Sequence, residues 1–583
     1  MVFLPHDRSG QRSVAAFARR RLLPNLYDLI ACGLVIALIA LVLHGAAAMR
    51  TPLDALSGAP VSLDPARLPE YALRTTLRMF AAIIASLVFT FVVATLAAKS
   101  RRAELIIIPA LDILQSVPVL GFLTFTVTFF MGLFPGSQLG AECASIFAIF
   151  TSQAWNMAFS FYQSLRTVPG DLDEVSRGFR LSGWQRFWRL EAPFAAPGLI
   201  WNTMMSMSGG WFFVVASEAI TVGNTTVQLP GIGSFLALAI DQKNFVAVGW
   251  AVAAMGILIM LYDQLLFRPV VAWADKFRVE QTASQQRPRS WVYDLIRHTR
   301  LMKRLIAPLA WIWQRLMLVR IGRSGKASFR PGRATSPLID RLWLGLVLAV
   351  TAWGIWVAIA YMRQTLSWND ALEALGGGLA TLLRVIVLIA VASLIWVPIG
   401  VLIGLRPALA ERVQPLAQFL AAFPANVLFP FAVIAIVATG ASPDIWLSPL
   451  MVLGTQWYIL FNVIAGASAF PTDLREAALV YQIRSWTWWR RVILPGIFPY
   501  YVTGALTASG GSWNASIVAE LVSWGNTRLE AYGLGSYIAR ATEAGDFPRV
   551  VLGIAVMSLF VTLFNRLLWR PLYVFAERRL RLD

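Results

Sequence analysis

The stretch LLFRPVVAWADKFR (265–278) returns as LLWRPLYVFAERRL (567–580), 302 residues downstream. The same offset carries Pro169, Asp171, Leu172 and Glu174 onto Pro471, Asp473, Leu474 and Glu476. It carries Trp184 onto Trp486, Pro193 onto Pro495, and Gly223-Asn224-Thr225 onto Gly525-Asn526-Thr527. It also carries Gly231, Gly233 and Ser234 onto Gly533, Gly535 and Ser536. Upstream the offset is 306, taking Arg78 onto Arg384, Pro109 onto Pro415 and Pro118 onto Pro424, so one connection differs by four residues. Self-similarity at a fixed offset marks a unit written twice.

Composition fixes the medium in which that unit folds. Of 583 residues, 57 % are hydrophobic and 14 % charged, whereas soluble domains carry about 25 % charge. An ordinary soluble globule is excluded, and so is a disordered chain, which lacks apolar surface to bury. A bilayer core takes about 20 apolar residues per helix, and lipid forces backbone groups to pair within the helix. Twelve stretches qualify, near 27–49, 71–98, 105–134 (broken around Pro118), 141–165, 193–220 and 246–268, then 341–361, 376–405, 413–438, 447–470, 495–522 and 548–569. The run from 27 has a basic lead and Ala46-Ala47-Ala48 behind it, as a cleaved signal would. It reads as a span because 341–361 opens the second half in the same place.

The fold expected is an all-α membrane protein of two tandem, parallel six-helix repeats. Residues 1–26 form a basic N-terminus, 27–278 the first repeat, 279–340 a basic join and 341–583 the second repeat. Six is even, so both repeats have one orientation, related by an axis along the membrane normal with a pathway between them. Arg8, Arg12, Arg19, Arg20 and Arg21 precede the first span, Lys99, Arg101 and Arg102 follow the second, and Arg166, Arg177, Arg180, Arg186 and Arg189 follow the fourth. This bias predicts that both termini are cytoplasmic. Between 269 and 338 there are 14 Lys/Arg against 3 Asp/Glu, a net +11 of the chain's +19. Within that join, LIAPLAWIWQRLMLV (305–319) is apolar but short and holds Arg315. An interfacial helix among anionic headgroups is expected there.

The loop after the fourth span of each repeat reads EVSRGFRLSGWQRFWRLEAP (174–193) and EAALVYQIRSWTWWRRVILP (476–495). A short helix is expected to start near Glu174 and Glu476, with Asp171 and Asp473 as N-caps. A turn, a basic aromatic helix and a proline at the next span follow. Two such knobs, one per repeat, suit docking on two partner subunits.

This loop resembles the EAA loop of ABC importer permeases: EAA, three residues, Gly, nine residues, Ile-x-Leu-Pro. The second repeat matches with Glu476-Ala477-Ala478 and Val492-Ile493-Leu494-Pro495; the first keeps Glu174 and Pro193, with Val175-Ser176 for the alanine pair. Both depart at the glycine, which is Arg180 and Gln482, so the tight turn is in question or moves to Gly178 or Gly183. The Trp ten residues after each Glu, Trp211 with Glu218, and the GxGS segment at Gly231 are similar to the nitrate/sulfonate/taurine branch. The resemblance implies a fused importer permease in the bacterial inner membrane. Two cytoplasmic ABC ATPase subunits would bind ATP-Mg and grip the loops, and a periplasmic solute-binding protein would deliver a small anion.

Ionisable groups within spans are costly and often functional. Glu218 and Glu520 end the fifth spans, where holding the adjacent Gly-Asn-Thr loop or a gate contact is expected; Arg78 and Arg384 end the second, where they draw in an anion or snorkel. Other candidates for the pathway are Gln153, Asn156, Asn202, Ser206, Thr455, Gln456, Ser509 and Asn514, although such residues also bind helices together. Phe212 stands opposite Asn514 in register and Asn202 opposite Gly504, so the pathway is expected to be lined unequally.

Several chemistries lack their residues. Cys32 and Cys143 give no metal spacing and His6, His44 and His298 are scattered. Gly325-Lys326-Ala327 lacks the first glycine and the hydroxyl of a P-loop. The chain is therefore read as a transport subunit with no catalytic residue, metal or cofactor of its own and no nucleic-acid partner. The alternative is a secondary transporter driven by an ion gradient.

Overall fold

The computed structural model describes residues 40, 61–116, 119–222, 225–277, 290–299, 301–320, 337–468 and 470–579. The expected span at 27–49 (apart from residue 40), the basic N-terminus, Gly223-Asn224 and Gly325-Lys326-Ala327 lie outside the described residues. The chain divides into two compact units. One holds Met1–Ala47, Gln163–Trp201 and Leu261–Phe329; the other holds Ala48–Tyr162, Asn202–Met260 and Arg330–Asp583.

The first repeat runs α1 (Leu68–Lys99), α2 (Arg101–Ser116), α3 (Val119–Leu133), α4 (Gln138–Arg166), α5 (Gly170–Gly178), α6 (Ala192–Glu218), the hairpin β1 (Ala219–Val222) and β2 (Thr225–Gln228), α7 (Ile232–Asp241) and α8 (Phe245–Tyr262). The join contributes α9 (Leu301–Leu318). The second repeat runs α10 (Pro337–Arg363), α11 (Trp368–Gly404), α12 (Pro407–Ala422), α13 (Phe429–Thr439), α14 (Trp457–Ser468), α15 (Thr472–Val480), α16 (Leu494–Ala519), β3 (Leu521–Trp524), β4 (Thr527–Glu530), α17 (Leu534–Glu543), α18 (Phe547–Phe564) and α19 (Arg570–Arg579). Short turns between these carry no label.

The long helices sort their side chains as a bilayer requires. On α1, Ala82, Ser86, Thr90, Ala94 and Ala98 recur every four residues and are buried. Ile84, Val88, Val92 and Leu96 recur with the same spacing and are exposed. Small and hydroxyl side chains let helices approach closely, while large aliphatic ones face lipid. On α11, Ala374, Gly377, Gly378 and Thr381 are buried, whereas Leu379, Leu383 and Leu394 are exposed. Ser367 and Asp370 cap α11 reciprocally, each side chain accepting from the other's amide.

Six helices among the described residues are long and apolar enough to cross a membrane, and two pairs bent by 80° and 45° bring this to eight. The twelve expected spans are not all met by that measure. α4 carries Gln138, Glu142, Ser152, Gln153 and Asn156, and α6 carries two prolines, Asn202 and a run of serines and glycines, so both are long but too polar. The 80° bend follows Phe423, held extended before Pro424.

The repeat is visible in detail. The hairpins pair Ala219 with Gln228 and Leu521 with Glu530, the same register at the 302 offset. Five-residue π-helical turns occupy Phe187–Glu191 and Trp489–Ile493, and again Asp263–Phe267 and Asn565–Trp569. In the larger unit the repeats also meet reciprocally. Phe125 on α3 packs on Phe547 of α18, with ring centroids 5.4 Å apart, and Phe245 of α8 packs on Phe431 of α13 at 6.3 Å. These are one contact made twice, since 245 and 547 differ by 302 and 125 and 431 by 306.

Candidate functional site

Two features recur at equivalent places, the loops after α4 and α14 and a clamp at the ends of α6 and α16. Each loop begins with a nine-residue helix, α5 or α15. The helices start at Gly170 and Thr472 after Pro169 and Pro471, so Asp171 and Asp473 lie inside the first turn and are not the caps expected. Proline fixes its own backbone without needing a donor, and acids in a first turn still suit the helix dipole.

The turn ending both helices stays at the position where the resemblance expects glycine. Arg180 and Gln482 adopt left-handed backbone, with φ of 50° and 53°. The expectation that the turn moves to Gly178 or Gly183 is overturned, as neither has positive φ. Leu181 N donates to Ser176 O at 3.1 Å and Arg180 N to Arg177 O at 2.9 Å; Ile483 N donates to Ala478 O at 2.9 Å and Gln482 N to Leu479 O at 3.0 Å. This is the Schellman closure, which satisfies the last helical carbonyls whatever side chain occupies the left-handed residue.

Ser176 and Ala478 are buried beneath the helices, while Glu174, Val175, Gly178, Glu476 and Ala477 are exposed. Each helix ends in an exposed aromatic at the same place, Phe179 at 76 % and Tyr481 at 78 %. Both rings thus lie outside any core among the described residues.

The supports of the two loops differ. In the smaller unit Arg186, buried, pairs with Asp173 at 2.5 Å and with Glu191 at 2.9 Å, and Arg177 also pairs with Asp173. α9 lies against the same loop: Trp184 Nε1 donates to Leu316 O and Gln185 Nε2 to Leu318 O, both at 2.8 Å, and the Trp188 and Trp313 rings meet edge-on at 5.0 Å. In the second loop Asp173, Arg186 and Glu191 are replaced by Arg475, Trp488 and Ile493, and Trp486 is 71 % exposed.

The clamp joins four segments in each repeat. Thr75 Oγ1 and Arg78 Nη1 both donate to Glu218 Oε1 at 2.7 Å, and Gly233 N donates to Glu218 Oε2 at 2.7 Å. Arg78 also grips Glu142 with two nitrogens, at 2.6 and 2.7 Å. Arg78 is fully buried and neither snorkels nor presents a free face. In the second repeat Thr381 and Arg384 donate to Glu520 Oε1 at 2.8 and 3.0 Å, and Gly535 N donates to Glu520 Oε2 at 2.7 Å. Arg384 reaches Asp444 at 3.2 Å, but Asp444 is 57 % exposed, so this clamp opens to solvent. A Cβ on Gly233 or Gly535 would lie 2.5 or 2.3 Å from a carbonyl of the preceding long helix, which explains the glycine. Sequence reading found Arg78, Glu218, Arg384 and Glu520 but missed Glu142 and Asp444. Their 302 offset inside otherwise apolar surroundings was the available signal.

Most other polar candidates hold helices together. Gln153 Nε2 meets Met79 Sδ at 3.3 Å, Asn156 accepts from Gln115 at 2.7 Å, and Asn202 donates to Ser160 at 2.8 Å. Thr455 and Ser512 share a 2.9 Å hydrogen bond, and Gln456 accepts from Trp396 at 2.8 Å. Ser509 donates to Leu506 O within its own helix, and Ser206 is buried. Asn514 accepts from Val119 N at 2.8 Å, linking α16 of the second repeat to α3 of the first.

Comparison with known proteins matches this arrangement. The family described as "Binding-protein-dependent transport system inner membrane component" matches twice, over residues 86–269 and 396–572. The chain is 28 % identical over 188 residues to the bicarbonate transport system permease protein CmpB of Synechococcus elongatus and, equally, to the nitrate import permease protein NrtB of Leptolyngbya laminosa. Each match covers 32 % of this chain and 64 % of the relative, so the chain spans less than two thirds of their length. It is 28 % identical over 227 residues, 38 % of this chain and 88 % of the relative, to the osmoprotectant import permease protein OsmY of Salmonella typhimurium. With two matched domains in tandem and apolar helices throughout, the chain belongs to the family of binding-protein-dependent transport system inner membrane components.

Proposed function

We propose that the chain is the fused permease of an ATP-driven importer for a small anion, its two repeats forming the pathway between them. The observation that carries the coupling role is the pair of aromatic-tipped helices α5 and α15, exposed at equivalent positions. Two cytoplasmic ABC ATPase subunits would grip them through Glu174, Val175, Phe179 and Arg180 in one loop and Glu476, Ala477, Tyr481 and Gln482 in the other. ATP-Mg binding on those partners biases a two-state bundle only through contacts that differ between the states. A periplasmic binding protein delivers the solute, and both termini lie in the cytoplasm.

The bicarbonate and nitrate relatives support a small oxyanion as the substrate. The clamps of Glu218 and Glu520 fix the segment after each hairpin relative to the second span, which suits a gate support better than a ligand. In this reading α9 lies at the membrane surface as an interfacial helix. The test is copurification and uptake. A tagged chain should bring down an ATPase, and Glu174→Ala with Glu476→Ala should abolish ATP-dependent uptake while the chain stays in the membrane. Uptake that persists without ATP and collapses with an uncoupler would establish the ion-gradient alternative instead.

A further inference from the structure

The end of the second repeat carries an open surface groove of about 510 Å³ along Arg566, Arg570, Pro571, Val574, Phe575 and Arg578. Arg566, Arg570, Val574 and Arg578 follow at four-residue intervals and so share one helical stripe, with Pro571 and Phe575 on the next. Among the described residues none of these three arginines makes an ion pair. The first repeat supplies an internal control. Its equivalents are Gln264, Arg268 and Lys276. Arg268 is neutralised by Asp263 at 2.8 Å, and Lys276 sits over the Trp273 ring at 4.5 Å. In the second repeat Asp263 has become Asn565 and Gln264 has become Arg566, while the acid at 275 is matched by one at 577. Two substitutions have removed a carboxylate and added a guanidinium at the same turn.

We propose that this groove is a binding site for the phosphate headgroup of an anionic phospholipid. The arginines match phosphate geometry. The other half of the lining is apolar, and Leu567 beside it is 69 % exposed in the last third of a membrane-length helix, Phe547–Ala576. A lipid uses both halves, its phosphate on the arginines and its glycerol and upper acyl carbons on Val574 and Phe575. Free phosphate uses only the first. Basic pockets at helix ends take anionic headgroups in this way. The inference rests on membrane residence, not on the substrate or the coupling role proposed above.

The test uses the full chain relipidated with equal mole fractions of palmitoyl-oleoyl phosphatidylglycerol and phosphatidylcholine, with retained lipid read by native mass spectrometry. Retention of phosphatidylglycerol over phosphatidylcholine is expected. Arg566→Gln with Arg570→Gln should lower that preference about twenty-five-fold, at roughly fivefold per basic residue near an anionic surface. Asn565→Asp, which restores the first repeat's carboxylate and removes no arginine, should lower it about fivefold. Arg268→Gln should leave it unchanged. A preference that survives in the Arg566→Gln/Arg570→Gln chain overturns the site. Binding of inorganic phosphate without preference between the two lipids overturns the lipid assignment.

Discussion

Phe125 and Phe547 meet across the boundary between the repeats at 5.4 Å, and Phe431 and Phe245 make the same contact with the repeats exchanged. A contact that returns when partners swap is the mark of two-fold association, here achieved inside one chain. Aromatic pairs contribute about 0.5–1.5 kcal/mol beyond area burial. A double-mutant cycle on Phe125→Ala and Phe547→Ala, read by thermal unfolding in detergent, should return a coupling energy in that range. The cycle Phe125→Ala with Phe431→Ala should return none, because those two do not form a pair.

Arg180 and Gln482 hold left-handed backbone without being glycine, at a cost of about 1 kcal/mol each. Arg180→Gly or Gln482→Gly should therefore raise the melting temperature, whereas a β-branched residue at either site should lower it. Equal melting for glycine and valine variants would show that the turn is not strained.

The two clamps should respond unequally. Glu218→Ala leaves Arg78 fully buried with only Glu142, and breaking a buried charge network costs about 3–5 kcal/mol. Glu520→Ala leaves Arg384 with Tyr532 O at 2.8 Å and a solvent-exposed Asp444. Its loss of stability, measured by denaturation in detergent, should be clearly smaller.

Trp184 anchors α9 through one hydrogen bond, worth about 1 kcal/mol net. Trp184→Phe should speed amide exchange across Leu301–Leu318 by about fivefold. Trp486→Phe, whose ring is exposed, should change protection nowhere.

Much of this is legible in the sequence. The 302 offset exposed the duplication, and the apolar periods gave the helices. The equivalence of Arg78 with Arg384 and of Glu218 with Glu520 follows from the offsets, whereas the ion pairs of Arg78 with Glu218 and of Arg384 with Glu520 leave no mark in them. Glu142 shows itself only through its 302 offset to Asp444, because a single acid in an apolar run has no local pattern. The left-handed turn was hidden because the closure is made by backbone amides, so its expected glycine had been replaced without changing the path. The contact of α9 with Trp184 joins residues 132 apart, and no periodicity reports such a distance. By apolar length alone fewer spans are counted among the described residues, because α4 and α6 carry the polar residues that bind their neighbours.

An assembly of two identical chains must show every side chain twice. Joined in tandem, this one is released from that duty: Asn514 has Phe212 as its counterpart, and the amide that takes Val119 N has no twin across the axis. Each repeat was thus free to specialise, one with an amide that ties α16 to α3 and the other with a ring at the equivalent place.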